Sequence, residues 1–211
     1  MIRVFNKKLT YKIHILLLLF FFLFSCTDST DITNQRINKN INKIIDELFL
    51  VYKNNPEVAK KRLDSLVSQK EIISNLSDSV IGKLYLLQGS NYSILGKNQE
   101  SLESYWKSAY YFQNTSDLLL SKVLTNLGLY YTEVLKYDSA EFYYNKSKEI
   151  KKSINDTIGM YSVSNNIAIM YVWQGNLQKA IDEFYNALDL AKSLNNQENI
   201  GITYNNIGSV F

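Results

Sequence analysis

The chain has 211 residues, of which 46% are hydrophobic, with one proline and eight glycines. A chain of this length can bury a sizeable core, and this hydrophobic content excludes intrinsic disorder. Cys26 is the only cysteine and His14 the only histidine. Because both lie near the amino terminus, we expect the rest of the chain to hold no disulfide, no zinc site built on Cys or His, and no Ser-His-Asp or Cys-His catalytic group.

The net charge of +3 comes from the amino terminus, where four of the 23 basic residues precede the first acidic residue, Asp28. The chain after residue 26 then has 19 basic and 20 acidic residues. Without a basic patch, no nucleic acid is expected as a partner. The eight glycines form no phosphate-binding loop, and the acidic pairs Asp46-Glu47 and Asp182-Glu183 lie on predicted exposed helix faces. We therefore expect neither an enzyme nor a cofactor.

Residues 1–26 predict an export signal. A basic stretch over residues 1–12 precedes an apolar run over residues 13–24. This run is too short to span a bilayer, which takes about twenty residues, and it has the length of a signal-peptide core. The run ends in the sequence Leu-Phe-Ser-Cys, which covers residues 23–26. It resembles the lipobox of bacterial lipoproteins, in which cleavage precedes the cysteine and lipid is attached to its thiol.

The lipobox resemblance implies a stable membrane anchor on Cys26 and a place in the bacterial cell envelope. Thr27 stands where an aspartate is associated with retention at the inner membrane, so the outer membrane is favoured. An ordinary secretory signal with an incidental cysteine and a retained signal anchor are the alternatives. Residues 27–40 lack apolar periodicity and are predicted to form a polar tether.

One pattern then recurs four times at a pitch of about forty residues. It begins at Gly89, Gly128, Ala168 and Gly208, which are 39, 40 and 40 residues apart, and a large aromatic follows each after three residues. In the first three units, small and aromatic residues also recur at fixed positions in a second predicted helix. These are the small residues Ser101, Ala140 and Ala180, the aromatics Tyr105, Tyr144 and Phe184, and the small residues Ser108, Ser147 and Ala187. Each unit therefore predicts two amphipathic helices, and Gly175 suits a left-handed helix end between them.

The pattern resembles the tetratricopeptide repeat. The resemblance implies an all-α fold, a right-handed superhelical solenoid of stacked antiparallel helix pairs, over residues 41–211. The pitch exceeds the roughly 34 residues typical of that family, and its closing proline is missing. The predicted units are 82–115, 121–154, 161–194 and a truncated 201–211, preceded by a degenerate unit at 40–73. In that first unit Leu50, Ala59, Leu63 and Leu66 keep the expected spacings, but Glu47 stands where a small residue belongs.

The resemblance also implies where a partner binds, because the first helices of such units line the concave side of the solenoid. Asparagine recurs there at repeat pitch, and its amide can pair with an extended peptide backbone. The candidates for a peptide-binding groove are Asn126, Asn165, Asn166, Asn206, Glu133 and Trp173. Alternatively, the asparagines bond between successive first helices. The expected partner is a protein or peptide of unknown identity.

The fourth matching unit stops at Phe211, before its second helix. We expect the sequence to be a fragment, because the apolar side of that first helix lacks a cover. The alternative function is therefore the sensor region of a bacterial signalling protein that continues into a histidine kinase or a DNA-binding domain.

Overall fold

The structure, a computed structural model, describes residues 31–211, and the predicted signal peptide with Cys26 lies outside these residues. Residues 31–211 form ten helices joined by short turns and contain no strand, which confirms the all-α prediction. None of these helices is long and apolar enough to cross a bilayer. The helices are α1 (31–51), α2 (Pro56–Ser68), α3 (Lys70–Ile73), α4 (Asp78–Ile94), α5 (Asn98–Phe112), α6 (Asp117–Glu133), α7 (Tyr137–Ser153), α8 (Thr157–Gln174), α9 (Leu177–Ser193) and α10 (Gln197–Gly208).

Six helices form the pairs α4–α5, α6–α7 and α8–α9, and each pair packs on the next through its second helix. The first helices also contact one another, α4 with α6 and α6 with α8, which places them on the inner side of the stack. Each pair begins four residues before the predicted unit, at Asp78, Asp117 or Thr157. A polar residue precedes the first helix of each pair. The Ser116 side chain caps α6 by accepting a hydrogen bond from the backbone N–H of Leu119, and the Asp156 side chain caps α8 by accepting one from the backbone N–H of Gly159.

Within a pair, an aromatic ring packs directly on a glycine of the facing helix. A Cβ atom placed on Gly128 would lie 2.5 Å from ring atoms of Tyr144, and one on Gly89 would lie 2.7 Å from the ring of Tyr105. Both rings are buried. The predicted pairing of a small residue with the aromatic sixteen residues later is thus a contact that leaves no room for a methyl group.

Serine hydroxyls join the same helices. Ser101 Oγ donates to the carbonyl oxygen of Gly89 over 2.9 Å, and Ser108 Oγ donates to that of Gly82 over 2.8 Å. Both serines are buried, and each is satisfied because the glycine opposite leaves its carbonyl uncovered.

The turns inside the pairs use the left-handed backbone conformation. Gly175 has φ 79° and caps α8, as the sequence predicts, and Gly96 has φ 67° at the equivalent place. Leu135 occupies this place in the middle pair with φ 59°, a conformation that is unfavourable for a residue with a side chain. Asn155 and Asn195 adopt the same conformation between pairs.

Two expectations for the amino-terminal part are wrong. Residues 31–40 are helical and continue into residues 41–51, so this part of the predicted tether belongs to α1. The reason is an apolar stripe, in which Ile37 packs beside the buried Ile41. In the first unit, Ala59 and Leu63 are buried as expected, but Leu50 is 76% exposed. Leu48, which is fully buried, takes that place instead, and Glu47 lies exposed on the outside of α1.

Replacing Gly128 with alanine should lower the free energy of unfolding by about 1–3 kcal/mol, since Tyr144 cannot move away without disturbing the core. The matched control is Gly201→Ala, also inside a helix but with nothing within 4 Å of the new methyl group. It should be neutral or stabilise by up to about 1 kcal/mol through helix propensity. Urea unfolding followed by circular dichroism measures both, and equal effects would contradict the packing argument.

Candidate functional site

The inner face of the solenoid carries the same five positions on α6 and α8, forty residues apart. Their spacing of four, four, three and four residues keeps them on one side of each helix. They are Leu118, Lys122, Asn126, Leu129 and Glu133 on α6, and Ile158, Ser162, Asn166, Ile169 and Trp173 on α8. The predicted site residues Asn126 and Asn166 are therefore equivalent, as are Glu133 and Trp173, and Asn206 is the counterpart of the asparagines on α10.

Apolar side chains flank the asparagine row on both sides. One rim contains Leu118 and Ile158, which are 43% and 64% exposed. The other contains Ile94 of α4, Leu129 and Trp173, which are 48%, 39% and 56% exposed. Apolar side chains that are aligned and exposed on one face are typical of a surface that binds a partner.

The four predicted asparagines differ in whether their side chains form hydrogen bonds within the protein. The side chains of Asn126 and Asn166 are half-buried and make no hydrogen bond to another described residue. In contrast, Asn206 Nδ2 donates to Asn165 Oδ1 over 2.9 Å. The alternative of bonding between successive first helices therefore applies to this second pair, whereas the amides of Asn126 and Asn166 keep their donors and acceptors available.

A cavity of about 550 Å³ opens on the inner face at its amino-terminal end. Asn126 lines it, whereas Asn165, Asn166, Asn206, Glu133 and Trp173 lie elsewhere on the inner face. The other lining residues come from α1 and the turn after it, from α4 and α6, from the end of α7, and from the start of α8 with its N-cap residue. They are Phe49, Tyr52, Leu86, Ser90, Leu118, Lys122, Thr125, Lys151, Asp156, Ile158, Gly159 and Ser162.

Glu133 and Trp173 hold the last of the five inner-face positions on α6 and α8. Partial loss of water around Glu133 raises the pKa of its carboxyl above the ordinary value. The backbone oxygen of Trp173 accepts a hydrogen bond from the Tyr137 hydroxyl over 3.1 Å, which fixes the end of α8, while its indole ring remains exposed. The indole ring of Trp173 is therefore accessible, and its role as an anchor stays a prediction.

Lys151 is a lining residue of the cavity that sequence reasoning missed. The equivalent positions of the neighbouring units hold the buried Phe112 and Ala191, and Lys151 itself is only 4% exposed. Its Nζ donates to Ser121 Oγ over 3.1 Å and to Asp156 Oδ2 over 3.4 Å. A charged residue at a core position of the repeat is a signal that an alignment of the units could have found.

Three of the four residues in the acidic pairs are surface residues. Asp46 and Glu47 are exposed on α1, and the exposed Asp182 accepts a hydrogen bond from Gln178. Glu183, which was expected on an exposed face, is only 15% exposed because its side chain forms an ion pair with Lys148 of α7. Among residues 31–211, no group of His, Cys, Asp and Glu side chains is arranged to hold a metal ion.

Replacing Lys151 with methionine should raise the free energy of unfolding at neutral pH, because the folded chain then no longer buries an ammonium group, while Asp156 keeps its hydrogen bond from the backbone N–H of Gly159. Burial lowers the pKa of Lys151 below 10.5, and nearby Lys122 adds to this, despite the opposing effect of Asp156. The unfolded chain therefore binds this proton more tightly than the folded chain. Burial of the protonated Lys151 therefore lowers the free energy of unfolding by its full amount below the lowered pKa. This loss of stability disappears as pH rises from that pKa towards 10.5.

The difference in stability between the Lys151→Met variant and the unsubstituted chain should accordingly shrink as pH increases towards that value. Chemical unfolding at several pH values measures it, and Lys152→Met, which removes the same charge from an exposed site, is the control. A destabilised Lys151→Met protein would show that the bonds to Ser121 and Asp156 outweigh the cost of burial.

No protein-family model and no curated protein sequence matches this chain. Several solved structures are similar to it. BtubC (BKLC) from P. vanneervenii is 17% identical, with 84% of this chain and 82% of that chain covered and a TM-score of 0.63. A putative kinesin light chain of Podospora anserina with nearly identical TPR-like repeats is 13% identical, with 82% and 88% covered and a TM-score of 0.63. MamA is 19% identical, with 76% and 85% covered and a TM-score of 0.52. The chain therefore has the fold of a TPR-like helical-repeat solenoid.

Proposed function

We propose that this chain is an exported, lipid-anchored scaffold that binds a peptide segment of a protein partner along its inner face. The observation that carries the proposal is the pair of unbonded amides, Asn126 and Asn166, set half-buried between two exposed apolar rims. No described residue satisfies these amides, so they are available to a ligand.

The inner face offers both kinds of contact that a peptide needs. An asparagine side chain can donate to a backbone carbonyl and accept from a backbone N–H, so two asparagines at repeat pitch can hold an extended backbone without selecting its sequence. The apolar rims and Trp173 can receive side chains of the peptide, and an exposed tryptophan is a common source of interface energy. Affinity thus comes from the amides and selectivity from the rims.

The membrane anchor is supported by the sequence alone. The apolar run that ends in Leu-Phe-Ser-Cys provides a cysteine for lipid attachment. The chain after residue 26 is nearly neutral, so electrostatic attraction to anionic lipid does not supply a second means of attachment. In the sensor alternative the inner face would serve as an input site, and peptide binding would control a signalling domain.

Replacing both Asn126 and Asn166 with alanine should weaken peptide binding at least tenfold. Each substitution removes a side-chain amide and so leaves a backbone group of the bound peptide without its hydrogen-bond partner. The probe is a fluorescent twelve-residue peptide selected from a random display library on the unsubstituted chain, and anisotropy gives its dissociation constant. Asn145→Ala is the control, since Asn145 is an exposed asparagine of α7 outside the inner face.

We expect the double variant to stay folded, because neither amide bonds to another described residue. Circular dichroism verifies this. Unchanged affinity in the double variant, or a selection that yields no binding peptide, would contradict the proposed site.

Replacing Cys26 with serine should abolish incorporation of radioactive palmitate when the full chain is expressed in a bacterium that processes lipoproteins. Globomycin, which blocks the lipoprotein signal peptidase, should lead to accumulation of the uncleaved precursor of the unsubstituted chain. Cleavage that is insensitive to globomycin would indicate an ordinary secretory signal, and an uncleaved, unlabelled chain would indicate a signal anchor.

A further inference from the structure

The cavity at the amino-terminal end of the inner face has the size and the apolar wall of a small-molecule site. Its volume of about 550 Å³ lies within the range of about 300–1,000 Å³ that is usual for such sites. Four helices contribute to the wall, with Phe49 on α1, Leu86 on α4, Leu118 on α6 and Ile158 on α8. A ligand of this cavity is therefore expected to have an apolar body.

Three polar groups that line the cavity have no partner within the described part of the chain. The Tyr52 hydroxyl, the Lys122 ammonium group and the Asn126 amide form no hydrogen bond or ion pair with another described residue. Tyr52 is nevertheless only 8% exposed. In contrast, the hydroxyls of Ser90 and Ser162 donate to backbone carbonyls one turn earlier in their helices. Each of the three unbonded groups can donate a hydrogen bond, so together they suit a ligand that presents acceptor atoms.

Lys151 adds a further donor. Its ammonium group has three N–H bonds, of which the hydrogen bonds to Ser121 and Asp156 use two. The arrangement depends on Gly159, because a Cβ atom there would overlap Asp156 Oδ2 and lie 2.9 Å from Lys151 Cδ. The neighbouring units have uncharged core residues at the position of Lys151. The fold of the repeat therefore does not require this charge.

The charged residues of the cavity leave one positive charge without a counterion. Among the described residues, those that line it are Lys122, Lys151 and Asp156. Asp156 forms an ion pair with Lys151, so the charge of Lys122 remains. The charged residues adjacent in the chain to a lining residue add to this excess, since they are Lys53, Asp117 and Lys152. A single excess charge favours a monoanion, and a carboxylate carries one negative charge at neutral pH, whereas a phosphate monoester carries nearly two.

We propose that this cavity binds a small organic acid with one carboxylate and a hydrocarbon body. The carboxylate lies against the Lys122 ammonium group, and its two oxygens accept further hydrogen bonds from the Tyr52 hydroxyl and the Asn126 amide. The hydrocarbon body packs against the apolar wall and displaces water from it.

The cavity adjoins the proposed peptide site and shares Asn126, Leu118 and Ile158 with it. The inference does not rest on peptide binding, because the acid is expected to bind the chain without a peptide. Asn166→Ala separates the two functions, since Asn166 lies outside the cavity. This substitution should weaken peptide binding and leave the affinity for the acid unchanged.

Calorimetric titration of the full chain in a nonionic detergent with octanoate and with phenylbutyrate tests the proposal. We expect at least one of these acids to bind with a dissociation constant on the order of 1 mM or below. The primary amide of the acid that binds has the same shape without the charge and should bind at least tenfold more weakly. Acetate, which lacks the hydrocarbon body, should not compete at the same concentration. Binding of neither acid, equal affinity for acid and amide, or competition by acetate would overturn the proposal.

Lys122→Gln should weaken binding of the acid at least tenfold and leave binding of its amide unchanged. We expect this variant to stay folded, because Lys122 is exposed and unbonded, and circular dichroism verifies it. The control is Lys83→Gln, since Lys83 has the equivalent repeat position on α4, bonds to Asn42 and does not line the cavity. It should change the affinity less than twofold. Unchanged affinity in Lys122→Gln, or an equal loss in Lys83→Gln, would contradict the proposed site.

Discussion

The contact between a glycine of one helix and an aromatic ring of its partner is the constraint on which the rest of this structure depends. It sets how closely α6 approaches α7 at Gly128 and Tyr144, and α4 approaches α5 at Gly89 and Tyr105. That close approach lets buried serine hydroxyls reach backbone carbonyls across the α4–α5 and α6–α7 pairs. The pairs then stack in register, which brings equivalent residues of the first helices into line on the inner face.

A repeat fixes its core positions and leaves its surface positions open to variation, and the inner face arises from that freedom. There, amides and apolar residues recur at repeat pitch, so α6 and α8 offer equivalent positions, with Asn126 matching Asn166. Variation between the units is equally visible, because Glu133 and Trp173 occupy one repeat position with opposite chemistry. A surface of this kind can follow an extended ligand while each unit adds its own selectivity.

The fold could be predicted because glycine, aromatic and alanine recur at one spacing and each has a steric role in that place. The prediction failed in the first unit, where Leu50 keeps the spacing but Leu48 is buried, since Glu47 breaks the pattern that fixes the register of the later first helices. At the site, the row of asparagines was predictable, but the difference in hydrogen bonding among them was not. Whether Asn165 faces Asn206 or a ligand depends on side-chain direction, which spacing alone does not determine. Lys151 was missed because it places a charge where the neighbouring units have the core residues Phe112 and Ala191.

The bond between Asn165 and Asn206 also determines how stiff the solenoid is at each joint. It links α8 to α10, and the hydroxyls of Tyr161 and Thr203 link the same two helices. Among the described residues no hydrogen bond joins α6 to α8, because Thr125 takes the place of Asn165 on α6 and its hydroxyl bonds to Ser121 and Ser147 instead. The bonds that join the α6–α7 pair to the α8–α9 pair lie on the α7 side, for example between Tyr137 and Trp173 and between Tyr171 and Glu141. Bending that separates α8 from α10 must therefore break directional bonds on the inner face, whereas α6 and α8 are not held together there by a hydrogen bond beside Asn126 and Asn166.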